Sequence, residues 1–145
     1  MDDSIVITVI GEKDEAFVAS TLAILDDTAA ALGKAFDGAD VQIRADDGDG
    51  QLIGGLFAAE IQGWLFVKYL AVGPLLRGRG IGAKLLAQAE REARKLGLVG
   101  VYLDTFSFQA PRFYQREGYG EIGRLPAING MPERVWFAKI LETGD

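Results

Sequence analysis

Glycine occupies positions 78, 80 and 82 of the run Leu76-Arg77-Gly78-Arg79-Gly80-Ile81-Gly82-Ala83-Lys84-Leu85, and Arg77, Arg79 and Lys84 stand among these glycines. Glycine has no Cβ, so backbone N–H groups can crowd around a bound group. The run follows an apolar, strand-like stretch (64–72) and opens a helix-like one (81–96). A helix start adds oriented N–H donors and the positive end of the helix dipole. Residue types and spacing together predict a site for a phosphate-bearing ligand. Further along stands Ala110-Pro111-Arg112-Phe113-Tyr114-Gln115-Arg116-Glu117-Gly118-Tyr119, with aromatic rings at 113, 114 and 119.

Composition narrows the chemistry. The 145 residues contain no cysteine and no histidine. Disulfides, Cys/His zinc sites, cysteine nucleophiles and Ser-His-Asp triads are thereby excluded. Net charge is −6, against general nucleic-acid binding. Yet the window 68–95 holds seven basic and two acidic residues, net +5, which leaves −11 for the rest. A positive island in an acidic chain suits a small polyanion. No run has the length and apolarity of a membrane span, and the acidic start Met1-Asp2-Asp3-Ser4 is unlike a signal peptide. The expectation is a cytoplasmic protein that does not bind membranes.

The elements that must position these groups are read from periodicity. Residues 4–10 alternate toward apolar and read as a first strand. Residues 14–35 read as a helix, broken near Asp26-Asp27. Strands follow at 41–45, 51–61 and 64–72, with Gly54-Gly55 marking a bulge or close approach and Gln62-Gly63 a hairpin turn. The Asp47-Gly48-Asp49-Gly50 stretch resembles a calcium loop, but Ala45 and Leu56 stand where ligands are required, so a turn is the better reading. After the glycine loop, Ile81, Leu85, Ala89, Ala93 and Leu96 fall on one helical face, with Lys84, Gln88, Arg91 and Lys95 on the wet side. A strand at 99–105, a short helix at 111–117 and two strands at 119–125 and 134–141 complete the chain. The expected fold is α/β (α+β): one domain over 1–145, with a mixed, mostly antiparallel sheet of about six to seven strands flanked by helices.

The glycine loop is not a nucleotide-triphosphate P-loop, because Ala83 precedes Lys84 and Leu85 replaces the required Ser/Thr. It does fit a dinucleotide fingerprint as Gly78-x-Gly80-x-x-Ala83, with Asp104 placed to face a ribose. A nicotinamide- or flavin-dependent oxidoreductase is therefore the alternative reading. Against it, the strand entering the loop closes a series of hairpins, and the chain is too short for a second nucleotide-binding half. A ligand-free turn would not need two arginines among its glycines.

Read as Arg77-x-x-Gly80-x-Gly82 after Tyr69-Leu70-Ala71-Val72, and joined to the later Phe113-Tyr114-x-x-x-Gly118-Tyr119 segment, the chain resembles the GNAT superfamily of acetyl-CoA-dependent N-acetyltransferases. The order of elements agrees along almost the whole chain, with the first helical region only loosely matched. The resemblance implies that Arg77, Gly78, Arg79, Gly80, Ile81, Gly82 and Ala83 surround the CoA pyrophosphate, with Lys84 adding charge. Leu70, Ala71 and Val72 would pair through their backbone with the pantetheine arm, and Tyr114 would protonate the leaving thiolate. It further implies a splay between the strands at 64–72 and 99–105, transfer to a primary amine without a metal, and a homodimer through the late strands.

Two departures are visible. Ser107 stands where many members carry asparagine, and is counted with the cofactor contacts. Phe66 stands where some members place a glutamate base, so Glu60, Asp104, Glu121 or a water must take the amine's proton. A non-catalytic CoA-binding module would share the loop and need no base.

Overall fold

The structure is a computed structural model and describes residues 4–142; the acidic start read at residues 1–3 lies outside them. The chain divides into two compact units, the first through Asp37 and the second from Gly38. Each is described on its own.

In the first unit, α1 (Glu15–Ala31) starts at Asp14, whose Oδ1 accepts from the Phe17 N–H at 3.0 Å. This is an N-cap satisfying one of the orphan donors of the first turn. The helix runs unbroken through Asp26 and Asp27, contrary to the expected break. The expected strand at 4–10 does not form. Its residue types suit a strand, but these residues carry no strand ladder within their unit.

The second unit is built on a six-stranded sheet: β1 (Asp40–Asp46), β2 (Leu52–Ile61), β3 (Trp64–Val72), β4 (Gly100–Phe106), β5 (Gly120–Leu125) and β6 (Arg134–Ile140). Spatial order is β1-β2-β3-β4-β6-β5, antiparallel throughout except for β3 and β4. The mixed, mostly antiparallel α/β architecture is the one expected. Asp47 Oδ1 closes the β1–β2 turn by accepting from the N–H groups of Asp49 and Gln51. The β2–β3 turn has positive φ at both Gln62 (49°) and Gly63 (89°), the geometry whose twist suits a two-residue hairpin. No helix among the described residues is long and apolar enough to cross a membrane.

Helix α2 (Ile81–Lys95) covers one face of the sheet with Leu85, Leu86, Ala89 and Ala93. They join Leu56, Ala58, Leu65, Val67, Val101, Leu103, Val135 and Phe137 in one core. The opposite face is aromatic: Phe66 stacks on Tyr102 with centroids 4.9 Å apart, and Trp64 meets Tyr102 edge-on. Gly100 belongs to this face. A Cβ there would fall 2.3 Å from the Lys139 carbonyl oxygen and 2.7 Å from the Trp64 ring. Gly100→Ala is expected to destabilise by about 2–3 kcal/mol through overpacking, read as a shift in urea midpoint; an unchanged midpoint would show that the strands yield without cost.

Two irregularities shape the site. Gly54 is a close approach, since a Cβ there would lie 3.0 Å from the Ala71 carbonyl oxygen. The break in β2–β3 register comes later, between Phe57 and Ala58, where Lys68 is the extra residue on β3. A bulge bends and twists its strand. On the other side, β3 keeps only three parallel rungs with β4, ending at Phe66↔Tyr102. Beyond that rung the two strands part.

Candidate active site

The parting of β3 from β4 opens a cleft of about 870 Å³. One wall is the end of β3, Leu70, Ala71 and Val72. The floor is the loop and first turn of α2: Leu76, Arg77, Gly78, Gly80, Ile81, Gly82 and Ala83. The far wall comes from Phe108 to Ala110 and from α3 (Pro111–Arg116), with Phe113, Tyr114, Arg116 and Glu117. With its β4 partner gone, the β3 edge past Phe66 presents main-chain donors and acceptors that an extended molecule can pair with.

A short 3₁₀ turn at Pro74–Leu76 leads from β3 to the loop. Gly78 (φ 82°) and Gly80 (φ 76°) then adopt left-handed backbone that a side chain would strain. Gly80 is the N-cap of α2, and no side chain caps the helix. The first bond of the helix is donated by the Lys84 N–H to the Gly80 carbonyl. The N–H groups of Ile81, Gly82 and Ala83 therefore have no acceptor among the described residues, and no acidic residue lies in that turn. Three unpaired donors at a positive helix end form an anion cradle. A Cβ on Gly82 would press to 3.4 Å from the Phe113 ring, narrowing the floor. These residues fit a diphosphate.

The sequence-derived candidates divide. Leu70, Ala71, Val72, Arg77, Gly78, Gly80, Ile81, Gly82, Ala83 and Tyr114 come together around the cleft. Arg79, Lys84 and Ser107 do not line it. The Ser107 N–H is instead donated to the Glu133 carbonyl at 2.8 Å. Gln109 is a lining residue that sequence reasoning missed. Its Oε1 accepts from the Phe106 N–H (2.9 Å) and the Thr105 hydroxyl (3.2 Å), so its amide nitrogen is left as a donor.

Tyr114 is buried, with its ring against Phe113, Tyr119 and Phe137. Its hydroxyl has no hydrogen-bond partner among the described residues and is not shut away from solvent. Burial, helped by the nearby Asp104 carboxylate, pushes its pKa up to about 12. The phenol thus stays protonated across neutral pH, as an acid must before it acts.

Of the three carboxylates considered as bases, Asp104 is the one coupled electrostatically to Tyr114. It stands two residues past the last β3–β4 rung, where the strands part. Glu60 lies at the far end of β2, opposite Leu65 near the hairpin turn. Glu121 is engaged with Arg124 on β5, which holds its carboxyl below the usual range.

Beneath α3 lies a buried polar cluster. Glu90 of α2 accepts from the Tyr119 hydroxyl (3.0 Å) and from Lys139 Nζ (2.9 Å), and Lys139 also donates to the Glu117 carbonyl at the end of α3 (3.0 Å). Burial and the Glu90 carboxylate push the Tyr119 hydroxyl well above its ordinary range. The cluster ties α2, β6 and the helix that carries Tyr114.

A mixed sheet whose single parallel pair parts over an uncapped helix start defines the acyl-CoA N-acyltransferase-like class of α/β proteins. A crystal structure from Agrobacterium tumefaciens assigned as an acetyltransferase superposes with a TM-score of 0.86 and 33% identity, over 94% of this chain and 100% of that one. A crystal structure of an aminoglycoside 6'-N-acetyltransferase complexed with coenzyme A shares the fold at a TM-score of 0.64 and 21% identity, over 90% of each chain. An acetyltransferase of Agrobacterium fabrum is 41% identical over 103 residues, 71% of this chain and 75% of that protein. The chain belongs to the acetyltransferase (GNAT) family, which matches residues 13–119. Membership sets aside the oxidoreductase reading of the same glycines.

Proposed function

We propose that this protein transfers the acetyl group of acetyl-CoA directly to a primary amine, the whole chain acting as one N-acetyltransferase domain. The observation that carries the reading is the uncapped start of α2, with three unpaired N–H groups, opening into the cleft that also holds Tyr114. That a protein of the same fold was crystallised with coenzyme A supports it.

Acetyl-CoA supplies an acetyl group already activated as a thioester. The N–H groups of Ile81, Gly82 and Ala83 hold its diphosphate, with Arg77 beside them. The open edge of β3 at Leu70, Ala71 and Val72 aligns the arm. The amine nitrogen forms the new N–C bond and the C–S bond breaks. Asp104 receives one proton from the ammonium group before attack, Tyr114 gives its proton to the departing sulfur, and the second proton shed by the nitrogen once the N–C bond has formed returns to Tyr114 through solvent. With no cysteine in the chain, no acyl-enzyme is needed.

The test is thiol release from acetyl-CoA with pooled primary amines, to which the cysteine-free protein adds no background. Amine-dependent release is expected; binding of acetyl-CoA without turnover across the pool would make the protein a CoA-binding module instead. Arg77→Ala is expected to weaken acetyl-CoA binding by about tenfold, more at low salt than at high. An unchanged Kd in calorimetry would remove Arg77 from the site.

A further inference from the structure

The aromatic face of the sheet holds an ion pair of unusual form. Arg134 Nε donates to Asp104 Oδ1 at 2.8 Å, and this is the pair's only hydrogen bond. Arginine and a carboxylate normally meet at two points. The protein's other arginine pairs do so: Arg44 reaches both oxygens of Asp46, and Arg124 forks onto Glu121. At Arg134 the outer guanidinium edge, Nη1 and Nη2, has no partner among the described residues, and Asp104 Oδ2 accepts nothing. Neither residue has a sealed, unpaired polar atom, so both open groups reach solvent. The guanidinium carbon lies over two rings, 4.6 Å from the Trp136 centroid and 5.5 Å from that of Phe106. An unused cationic fork and an unused carboxylate oxygen thus stand side by side, already oriented.

The pair adjoins the cleft. Phe106 stacks on Phe108, a cleft-lining residue, with centroids 5.6 Å apart. Asp104 lies just beyond the last β3–β4 rung. A group resting on Asp104 is therefore at the gap where the acetyl group must be met.

We propose that the acceptor is a zwitterionic amine of the amino-acid type, its oxyanion bound by the Arg134 fork and its ammonium group by Asp104. This rests on the acetyl-transfer reading above and adds the substrate class to it. Each half of the ligand completes the half of the ion pair left open, which neither a plain alkylamine nor a polycation does. Arg134 is a specificity residue here, and Asp104 both anchors the amine and takes its proton.

The experiment compares L-amino acids with the amines formed by removing their carboxyl groups, and taurine with ethylamine, using acetyl-CoA and the full chain. Wild-type kcat/KM is expected to favour the anion-bearing partner by at least about tenfold. Arg134→Gln is expected to abolish that ratio, and Arg134→Lys, which keeps the charge and loses the fork, to leave an intermediate one. Taurine separates planar from tetrahedral oxyanions, and a preference for either supports the proposal. Acetyl-CoA titration of each variant checks that it is folded. A wild type that binds acetyl-CoA but favours the plain amines, or turns over no zwitterion, would overturn the proposal, as would a preference that survives Arg134→Gln. Failure of the wild type to bind acetyl-CoA would instead overturn the donor reading.

Discussion

Tyr114→Phe is expected to lower kcat by about a hundredfold or more, the range for losing a positioned general acid, with acetyl-CoA affinity nearly unchanged. The ring fills the same space against Phe113, Tyr119 and Phe137 in both proteins, so the core survives. The hydroxyl has no partner among the described residues, so its loss strands no buried group. The departing thiolate then leaves unprotonated, and the cost falls on turnover. The pH profile adds a second reading. With Tyr114 pushed up to about 12, loss of the acid does not limit the rate until well above pH 10. The same shift makes stability pH-dependent. Below the ordinary tyrosine value near 10 both folded and unfolded chains hold the proton, and the stabilisation is complete. Between 10 and about 12 the unfolded chain releases it first, so stability falls as pH rises. Tyr119, shifted in the same direction, adds to this alkaline loss. Steady-state kinetics checks the first result, and full activity in the phenylalanine variant would return Tyr114 to a packing role.

Lys139→Met is expected to destabilise the protein by about 3 kcal/mol, because removing one partner of a buried ion pair leaves the other uncompensated. Glu90 is 7% exposed and keeps only the Tyr119 hydroxyl once the ammonium is gone. The Glu117 carbonyl at the end of α3 also loses its donor. Gly118 sits beneath this contact with φ 93°, and a Cβ there would lie 3.4 Å from the lysine stem. Adding Glu90→Leu to Lys139→Met should recover much of the loss, since an apolar pair of similar volume often replaces a buried ion pair without cost. Urea denaturation of the single and double variants checks this. A single-variant loss below about 1 kcal/mol would place the pair among ordinary surface ion pairs.

How far the chain can be read depends on whether the signal is local. β3 was legible to the residue, because the Gln62-Gly63 turn and the glycine loop bound it on both sides. The buried Glu90 was not, lying among Gln88, Arg91 and Glu92. Its spacing from Leu86 and Ala93 carries the signal, because the three share one helical stripe. The ion pair of Asp104 with Arg134 joins residues 30 apart and depends on the β4–β6 register. The Lys68 bulge leaves no mark in composition, and it shifts which side chains of β3 turn toward α2. At residues 4–10 strand-type residues misled, because a strand also needs a partner.

The central claim is that the start of α2 and the open edge of β3 hold acetyl-CoA. Isothermal titration of the full chain with acetyl-CoA, beside NADH as a second diphosphate-bearing ligand, tests it most directly. Saturable one-to-one binding of acetyl-CoA, weakening as salt rises, with no comparable heat from NADH, is the expected result. No heat from acetyl-CoA at high micromolar concentration, or tighter binding of NADH, would contradict it.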